Sequence, residues 1–409
     1  MAVLIAGGGI GGLALALSLH QVGVPCRVFE QVADIRPLGV GINIQPHAVK
    51  ELEALSLLPA LDRIGIRIAE VGYFSTHGAQ IWREERGVEA GYRWPQFSIH
   101  RGHLQMLLLD AVRERLGPDS VRLGAGVVGW TDGVDGIGIT LSSGETVFGD
   151  VMIAADGIHS AARAKLYPDD GPPLWNRVLM WRGTSWAPSF LTGRSMAMAG
   201  CKALKFVCYP IARDGGRVLV NWIADRMFPE DHVWAREDWN RPGKAEDLLP
   251  PFGNWTFDWL DVPALIRGAD AIYEWPMVDR DPLPRWTHGP MTLMGDAAHP
   301  MYPIGSNGAS QAILDARVLA REIRDRGASP AALAAYEAER RPVTSAIVLA
   351  NRGDGPDKVL DIVEERAPDG FARLEDVITQ AELEEIAARY KATAGMDISR
   401  LNGSLSVLG

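Results

Sequence analysis

Three short stretches combine residue types and spacings that can do chemistry: GGGIGG (7–12), ADGIHSAAR (155–163) and GDAAHPMYPIGSNGA (295–309). In the first, Gly7, Gly9 and Gly12 fit G-x-G-x-x-G, with Gly11 inside the same run. In such a turn the first glycine makes the bend, the second admits a pyrophosphate to the backbone, and the third packs helix on strand. The pyrophosphate then rests on a helix N-terminus, where free N–H groups and the dipole favour an anion. Glu30 follows about 20 residues later, where an acid can hydrogen-bond an adenosine ribose. The spacing predicts a dinucleotide site and leaves NAD and FAD both open. The third stretch sets Asp296 ahead of a Pro-Gly loop and places Gly295, Gly305 and Gly308 within 15 residues. Glycine carries an entropic cost, so this density predicts close approach of something to the backbone.

These residues need elements to hold them. AVLIA (2–6) predicts a buried strand, GLALALSLHQVG (12–23) a buried helix and CRVFE (26–30) a second strand. The sum is a βαβ unit around the glycine turn. DVMIAADG (150–157) and PMTLMGDAAH (290–299) are two further apolar strands, each ending at an Asp beside a Gly. From Asn307 onward, Ala309, Ala312, Ile313, Ala316, Ala320 and Ile323 share one helical face. Further helices are predicted over 103–117, 329–351 and 375–391, and the turns DGVDG (132–136) and SSGE (142–145) predict hairpins.

With 409 residues the chain exceeds one core, so at least two domains are expected. Ten of the 13 tryptophans fall between 172 and 286. We expect a discontinuous FAD- or NAD-binding domain (1–71, 99–171, 281–352), a β-rich substrate domain (72–98, 172–280) and a C-terminal helical segment (353–409). The tryptophans line an aromatic pocket or fill that domain's core. A net charge of −10 argues against nucleic-acid and anionic-membrane partners. Three cysteines without a C-x-x-C pair fit a reduced cytoplasmic chain, and no run of 18 apolar residues predicts a membrane span. The apolar N-terminus is broken by glycines and lacks a basic region, so a signal peptide is not expected.

Taken together, in this order and spacing, the three motifs resemble those of the single-component, FAD-dependent aromatic hydroxylases (group A flavoprotein monooxygenases) over roughly residues 1–350. DIRPLGVGINIQP (34–46), MWRG (180–183), YEWPMVDRDPLP (273–284) and MYPIGSNGASQAILD (301–315) are similar to phenazine-hydroxylating members. The resemblance implies an α/β fold with a Rossmann-like FAD-binding domain, a β-sheet substrate domain and C-terminal helices. It implies non-covalent FAD, NADH or NADPH as a transient co-substrate, and O2, with oxygen delivered to an aromatic or heteroaromatic ring from a flavin C4a-hydroperoxide, with or without decarboxylation. By the same resemblance Asp296 holds the FAD ribityl chain, Arg101 the pyrophosphate region, and Pro303, Gly305, Ser306, Asn307 and Gly308 the isoalloxazine edge. Asn43 and Val127 contact the cofactor mainly by backbone, Gly11, Gln31 and Gly41 add contacts, and Asp156 links FAD and NAD(P)H binding. Arg163 is placed to pair with Asp156.

Candidate pocket residues are Tyr209, Trp222, Trp275, Met277, Pro303 and Ile304. Arg182 is a candidate for a substrate carboxylate, with an interdomain ion pair as the alternative. No acid–base residue is required, because the cofactor carries the hard chemistry. His100 and His103 lack a third ligand at zinc spacing, and His299 is expected to be packed and hydrogen-bonded. Epoxidation, N-hydroxylation and Baeyer–Villiger insertion remain open on the same cofactor. So do an O2-independent FAD reductase and a non-enzymatic flavin binder. The expected partner is a small aromatic substrate, on a monomer or homodimer.

Overall fold

The computed structural model describes residues 2–37, 39–133, 136–232, 241–353, 355–393 and 395–409. Trp234, Trp239, Leu38 of the 34–46 stretch and the tip of the DGVDG turn lie outside them. A six-stranded sheet has the order Thr287–His288, Met291–Leu293, Val151–Ala154, Val3–Ala6, Cys26–Phe29, Val121–Arg122. All its pairings are parallel except the first. VLIA and VMIA are buried along their whole length, which explains their unbroken apolar character. Register pairs Ala6 with both Ala154 and Phe29, and Ala154 with Leu293. Adjacent strands therefore end level, and the glycine turn, Glu30, Asp156 and Asp296 all leave the same edge of one sheet.

Helices Ile10–Gln21, Arg101–Leu116 and Gly308–Arg326 pack with this sheet in one apolar core. The first starts at Ile10, two residues before the predicted start, so Gly11 and Gly12 are helical. The turns at 132–136 and 142–145 join an antiparallel meander of Val127–Gly133, Gly136–Leu141 and Thr146–Gly149. A smaller sheet sets Gln96–His100 between Gly41–Ile44 and Gly65–Ile68.

The second large sheet has seven strands: Ile272–Asp279, Leu174–Pro188, Arg217–Met227, Leu204–Asp214, Ser195–Cys201, Glu70–Phe74 and Gln80–Glu85. Strand alternation divides its side chains between two faces. On the rear face Val218, Val220, Trp222 and Ala224 pack with helices Ala245–Phe252 and Val262–Arg267. The front face meets the dinucleotide-type half and the C-terminal helices. There the helix Lys358–Arg366, within the expected C-terminal segment, buries Val359, Leu360 and Val363 against Val71, Tyr73 and Met196. The helix expected over 375–391 begins later, at Gln380. The chain end returns to the first half, where Ser406 Oγ donates to Glu51 at 2.7 Å and Lys50 donates to Ser404 Oγ at 2.7 Å.

Candidate active site

The glycine turn is built by steric necessity. Gly7 has φ +109°, and a Cβ there would lie 2.4 Å from the Ala155 carbonyl oxygen. A Cβ on Gly12 would lie 2.0 Å from the Gly7 carbonyl oxygen. Gly9 caps the 12-residue helix with open space around it, since nothing lies within 4 Å of a Cβ built there. The helix start carries no side-chain cap, so its first N–H groups are left for an anion. Glu30 is buried and accepts from Gly8 N at 2.6 Å and Val32 N at 3.0 Å, so its carboxylate braces the turn. Gln105, which the sequence did not single out, donates to Gly8 O at 2.9 Å. Gln31 and Arg101 are exposed beside this region, and Val127 opens the meander half-buried.

Asp156 accepts from Ala161 N at 2.9 Å, while its Oδ1 is buried without a protein partner. Burial raises its pKa. Arg163 does not pair with Asp156. Ser160 caps the helix Ala161–Leu166, and the helical turn carries the Arg163 guanidinium to Asp170 at 2.8 Å. It also donates to Ala298 O at 3.2 Å and Asp281 O at 3.2 Å, tying the second motif to the third.

Asp296 is exposed although protein crowds it on several sides, as expected of a carboxyl projecting into a deep cleft. That crowding pushes its pKa up, against the pull of His299 and Arg101. Beneath it runs a buried network that the motifs alone did not reveal. His299 Nε2 and Asp315 Oδ2 are 2.5 Å apart, and Gly295 N donates to the same oxygen at 3.1 Å. Arg340 donates to Asp315 Oδ1 at 2.7 Å and to Gln311 Oε1 at 2.6 Å, and Gln311 meets His47 at 3.4 Å. Burial opposes ionisation of Asp315, but His299 and Arg340 hold its pKa down to about 2. The available signal was a charged residue set among Ala312, Ile313 and Ala316 on an apolar helix face. His299 is packed and hydrogen-bonded, as expected.

The loop from Pro303 is pinned by the strand Gly41–Ile44. Gln45 donates to Gly305 O at 3.3 Å and Asn43 to Ser306 Oγ at 3.5 Å. Gly305 has φ +74° and Ser306 φ +55°, so the turn itself demands glycine at 305. Gly308 then opens a 19-residue helix with no side-chain cap on its first N–H groups, and a Cβ there would meet only Asp296 and Met301, at 3.9 and 4.0 Å. Open space before one helix N-terminus, an orphaned Asp156 oxygen, a cleft-facing Asp296 and a second open helix start fit an extended dinucleotide. The fit favours FAD, because three separated strand ends contribute.

On the front face of the seven-stranded sheet, Arg182 Nη2 donates to Gly41 O at 2.7 Å and Tyr209 OH to the same oxygen at 2.9 Å. The guanidinium lies 4.9 Å from the Trp275 ring centroid, and burial lowers its pKa. Among the described residues no carboxylate lies within ion-pair distance of Arg182, so the interdomain link is a hydrogen bond rather than an ion pair. Met277 packs with Val178, Met180 and Tyr302, and Trp275 and Ile304 lie against that cluster. Trp222 is corrected by strand parity: it is wholly buried on the rear face, its ring centroid 6.0 Å from that of Phe206, and donates to Ser185 Oγ at 3.0 Å. A cavity of about 170 Å³ opens on the front face, lined by Met277, Ile304, Asp225, Lys205 and Asn351 among others. His100 and His103 merely sit ring to ring at 4.6 Å, and no metal-binding cluster exists among the described residues.

The family model for the FAD binding domain matches residues 1–169 and 269–351. The phenazine 1,6-dicarboxylic acid hydroxylase PhzS of Lysobacter antibioticus is 48% identical over 363 residues, covering 86% of this chain and 89% of that protein. The aurachin C monooxygenase/isomerase of Stigmatella aurantiaca is 33% identical, covering 83% and 85%. Among solved structures, Klebsiella pneumoniae HpxO complexed with FAD and uric acid superposes with a TM-score of 0.73 at 24% identity, covering 98% and 95%. A salicylate hydroxylase substrate complex gives 0.75 at 22%, covering 98% and 97%. At these identities the two structures speak for the fold. No helix among the described residues is long and apolar enough to cross a membrane. The chain belongs to the FAD-binding domain family and, within it, to the single-component FAD-dependent monooxygenases.

Proposed function

We propose that this monooxygenase hydroxylates a carboxylate-bearing heteroaromatic ring of phenazine type, consuming NADH or NADPH and O2. The observation that carries the reading is the front-face cavity. Its apolar wall of Val178 and Met277 suits an aromatic ring, and Ile304 in that wall belongs to the loop that precedes the open helix start at Gly308. The relative with phenazine in its name supports the ring class. Bound FAD supplies the redox chemistry, accepting a hydride and passing one oxygen atom to the ring.

The chain's own residues bind, orient and exclude water. Gly9 and the following N–H groups, with Arg101, would take the pyrophosphate region, Glu30 would face the adenosine ribose, and Asp296 would take the ribityl chain. The helix start at Gly308 and Ala309 turns its positive end toward charge gathering on the ring edge. Arg182, stacked on Trp275, offers its guanidinium to a substrate carboxylate. The buried front face keeps water from competing for the activated oxygen. Oxygen uptake and NAD(P)H oxidation, measured with carboxylated phenazines, hydroxypyridines and hydroxybenzoates, test the reading. Stimulation by the phenazines with a hydroxylated product is expected. Stimulation by single-ring acids alone overturns the ring class.

A further inference from the structure

Asp225 is a buried carboxylate with one oxygen that neither the fold nor the proposed flavin site uses. It stands on the front face of the strand Arg217–Met227 and is 3% exposed. Its cross-strand partner is Lys205. The ammonium of Lys205 lies 2.6 Å from Asp357 and 3.5 Å from Asp225 Oδ2, so Asp225 holds the longer of its two contacts. Asp225 Oδ1 is buried with no hydrogen-bond partner. One ammonium thus serves two carboxylates, and Arg182 adds only a more distant positive charge. A buried acceptor left unpaired is costly, and a charged one more so.

Asp225 and Lys205 line the same cavity as Met277, Val178 and Ile304. Asp225 and the loop assigned to the isoalloxazine edge therefore border one space. We infer that Asp225 selects the substrate, its Oδ1 accepting a hydrogen bond from a ring O–H or N–H. The inference rests on reading this cavity as the substrate site. A ligand carboxylate at this end would meet two protein carboxylates. A ring offering only acceptors here would leave Oδ1 unpaired.

The sheet also fixes where the other end of the ligand goes. Met180 pairs with Asp225 and Arg182 pairs with Ile223, so Arg182 and Asp225 sit diagonally on neighbouring strands of one face. Such diagonal positions are roughly 7–8 Å apart, about the span of an aromatic ring with its substituents. On this placement a ligand donor meets Asp225 in the cavity, and a carboxylate reaching beyond the cavity lining along the same face would approach Arg182.

Binding to the oxidised holoenzyme, read as a shift in the FAD visible spectrum, tests this without turnover. The probes are two matched pairs: 1-hydroxyphenazine with 1-methoxyphenazine, and 4-hydroxybenzoate with 4-methoxybenzoate. The hydroxyl member of at least one pair is expected to bind about 10-fold or more tightly, since a site built for a donor rejects its methylated analogue. Asp225→Leu, similar in size and without an acceptor, should bring that ratio close to one. Asp225→Asn, an uncharged acceptor, should reduce it only partway. A purely structural defect would weaken both members of a pair together and leave the ratio intact. Equal binding of hydroxyl and methoxy probes, an unchanged ratio in both variants, or binding of none of the four overturns the assignment. If only the benzoate pair binds and its ratio depends on Asp225, the assignment stands and the phenazine reading falls.

Discussion

The glycine turn at 7–12 and the front face of the seven-stranded sheet both prepare a surface for a ligand, by opposite means. On the proposed reading the turn recognises by backbone, with side chains excluded at Gly7 and Gly12 for want of room and at Gly9 to leave space for the ligand. On the sheet, the proposed recognition is by side chains, and the backbone merely alternates them between two faces. The first kind of site writes itself into residue type at fixed spacing. The second depends on which of two faces each residue takes, and one position of error moves a side chain to the other side of the sheet.

The turn offers the largest effect by which to break this contrast. Gly12→Val forces a Cβ against the Gly7 carbonyl oxygen, where only 2.0 Å is available. Neither backbone segment can yield without unseating the helix Ile10–Gln21 from its sheet. We expect loss of soluble folded protein, read by expression yield and circular dichroism. Gly9→Val meets nothing within 4 Å and should fold with a near-normal melting temperature, yet fail to retain FAD. If Gly9→Val keeps FAD as tightly as the parent, the open space there is not the pyrophosphate seat.

The network below Asp296 mixes the two modes, since side chains hold a backbone loop. Asp315→Asn removes the charge that answers Arg340 and His299 in a fully buried setting. Breaking a buried pair by one partner typically costs about 3–5 kcal/mol. Denaturant unfolding should show a loss of that order, with weaker FAD retention because one amide oxygen cannot accept from both Arg340 and Gly295 N. A loss below about 1 kcal/mol would mean the loop is held from elsewhere.

Legibility followed the same divide. The strands Val3–Ala6, Val151–Ala154 and Met291–Leu293 were readable because each is a short apolar run stopped by Gly or Asp. Their order in the sheet places all three motifs at one edge, as the chemistry of the motifs requires. Asp315, Gln311 and Arg340 were hidden because their partners lie far away in sequence. Trp222 was misassigned because an aromatic residue on a β-strand is equally at home on either face. The pairing of Arg163 with Asp156 failed for a local reason, since the cap at Ser160 turns the guanidinium toward Asp170. Asp225 was passed over because an isolated Asp on an apolar strand carries no spacing signal, and only the count of its partners marks it.

A pH experiment probes the far end of the network. Burial, reinforced by Arg340 and Lys50, lowers the pKa of His47 from 6.5 to about 3. The folded chain therefore keeps His47 neutral while the unfolded chain takes up a proton below pH 6.5. Its contribution is intact above pH 6.5 and is lost as pH falls toward 3, by up to about 1.4 kcal/mol per pH unit. Asp315 behaves differently, contributing above its ordinary value of 3.8 and losing stability only between there and about 2. Unfolding free energies at pH 7 and 4.5 isolate His47, because Asp315 is ionised in both states over most of that interval, and His47→Gln should flatten it. An equally steep fall in His47→Gln would assign the loss to other groups.

The smallest effect gives the sharpest test of sheet parity, because it compares neighbours on one strand. Trp222 fills the rear core against Phe206, and its indole donates to Ser185. Ile223, the next residue, packs on the front with Met180, Met277 and Trp275. Trp222→Phe removes one ring and one hydrogen bond from a well-packed site, a loss of about 2 kcal/mol in unfolding free energy. Its kcat/KM should stay within about twofold of the parent, since nothing on the front face has moved. Ile223→Ala should do the converse for function, raising KM for the aromatic substrate by roughly 10-fold as the support behind the cavity-lining Met277 and Val178 is lost, whatever it costs in stability. If Trp222→Phe is the variant that raises KM, the substrate lies against the rear core and the front-face cavity is not its site.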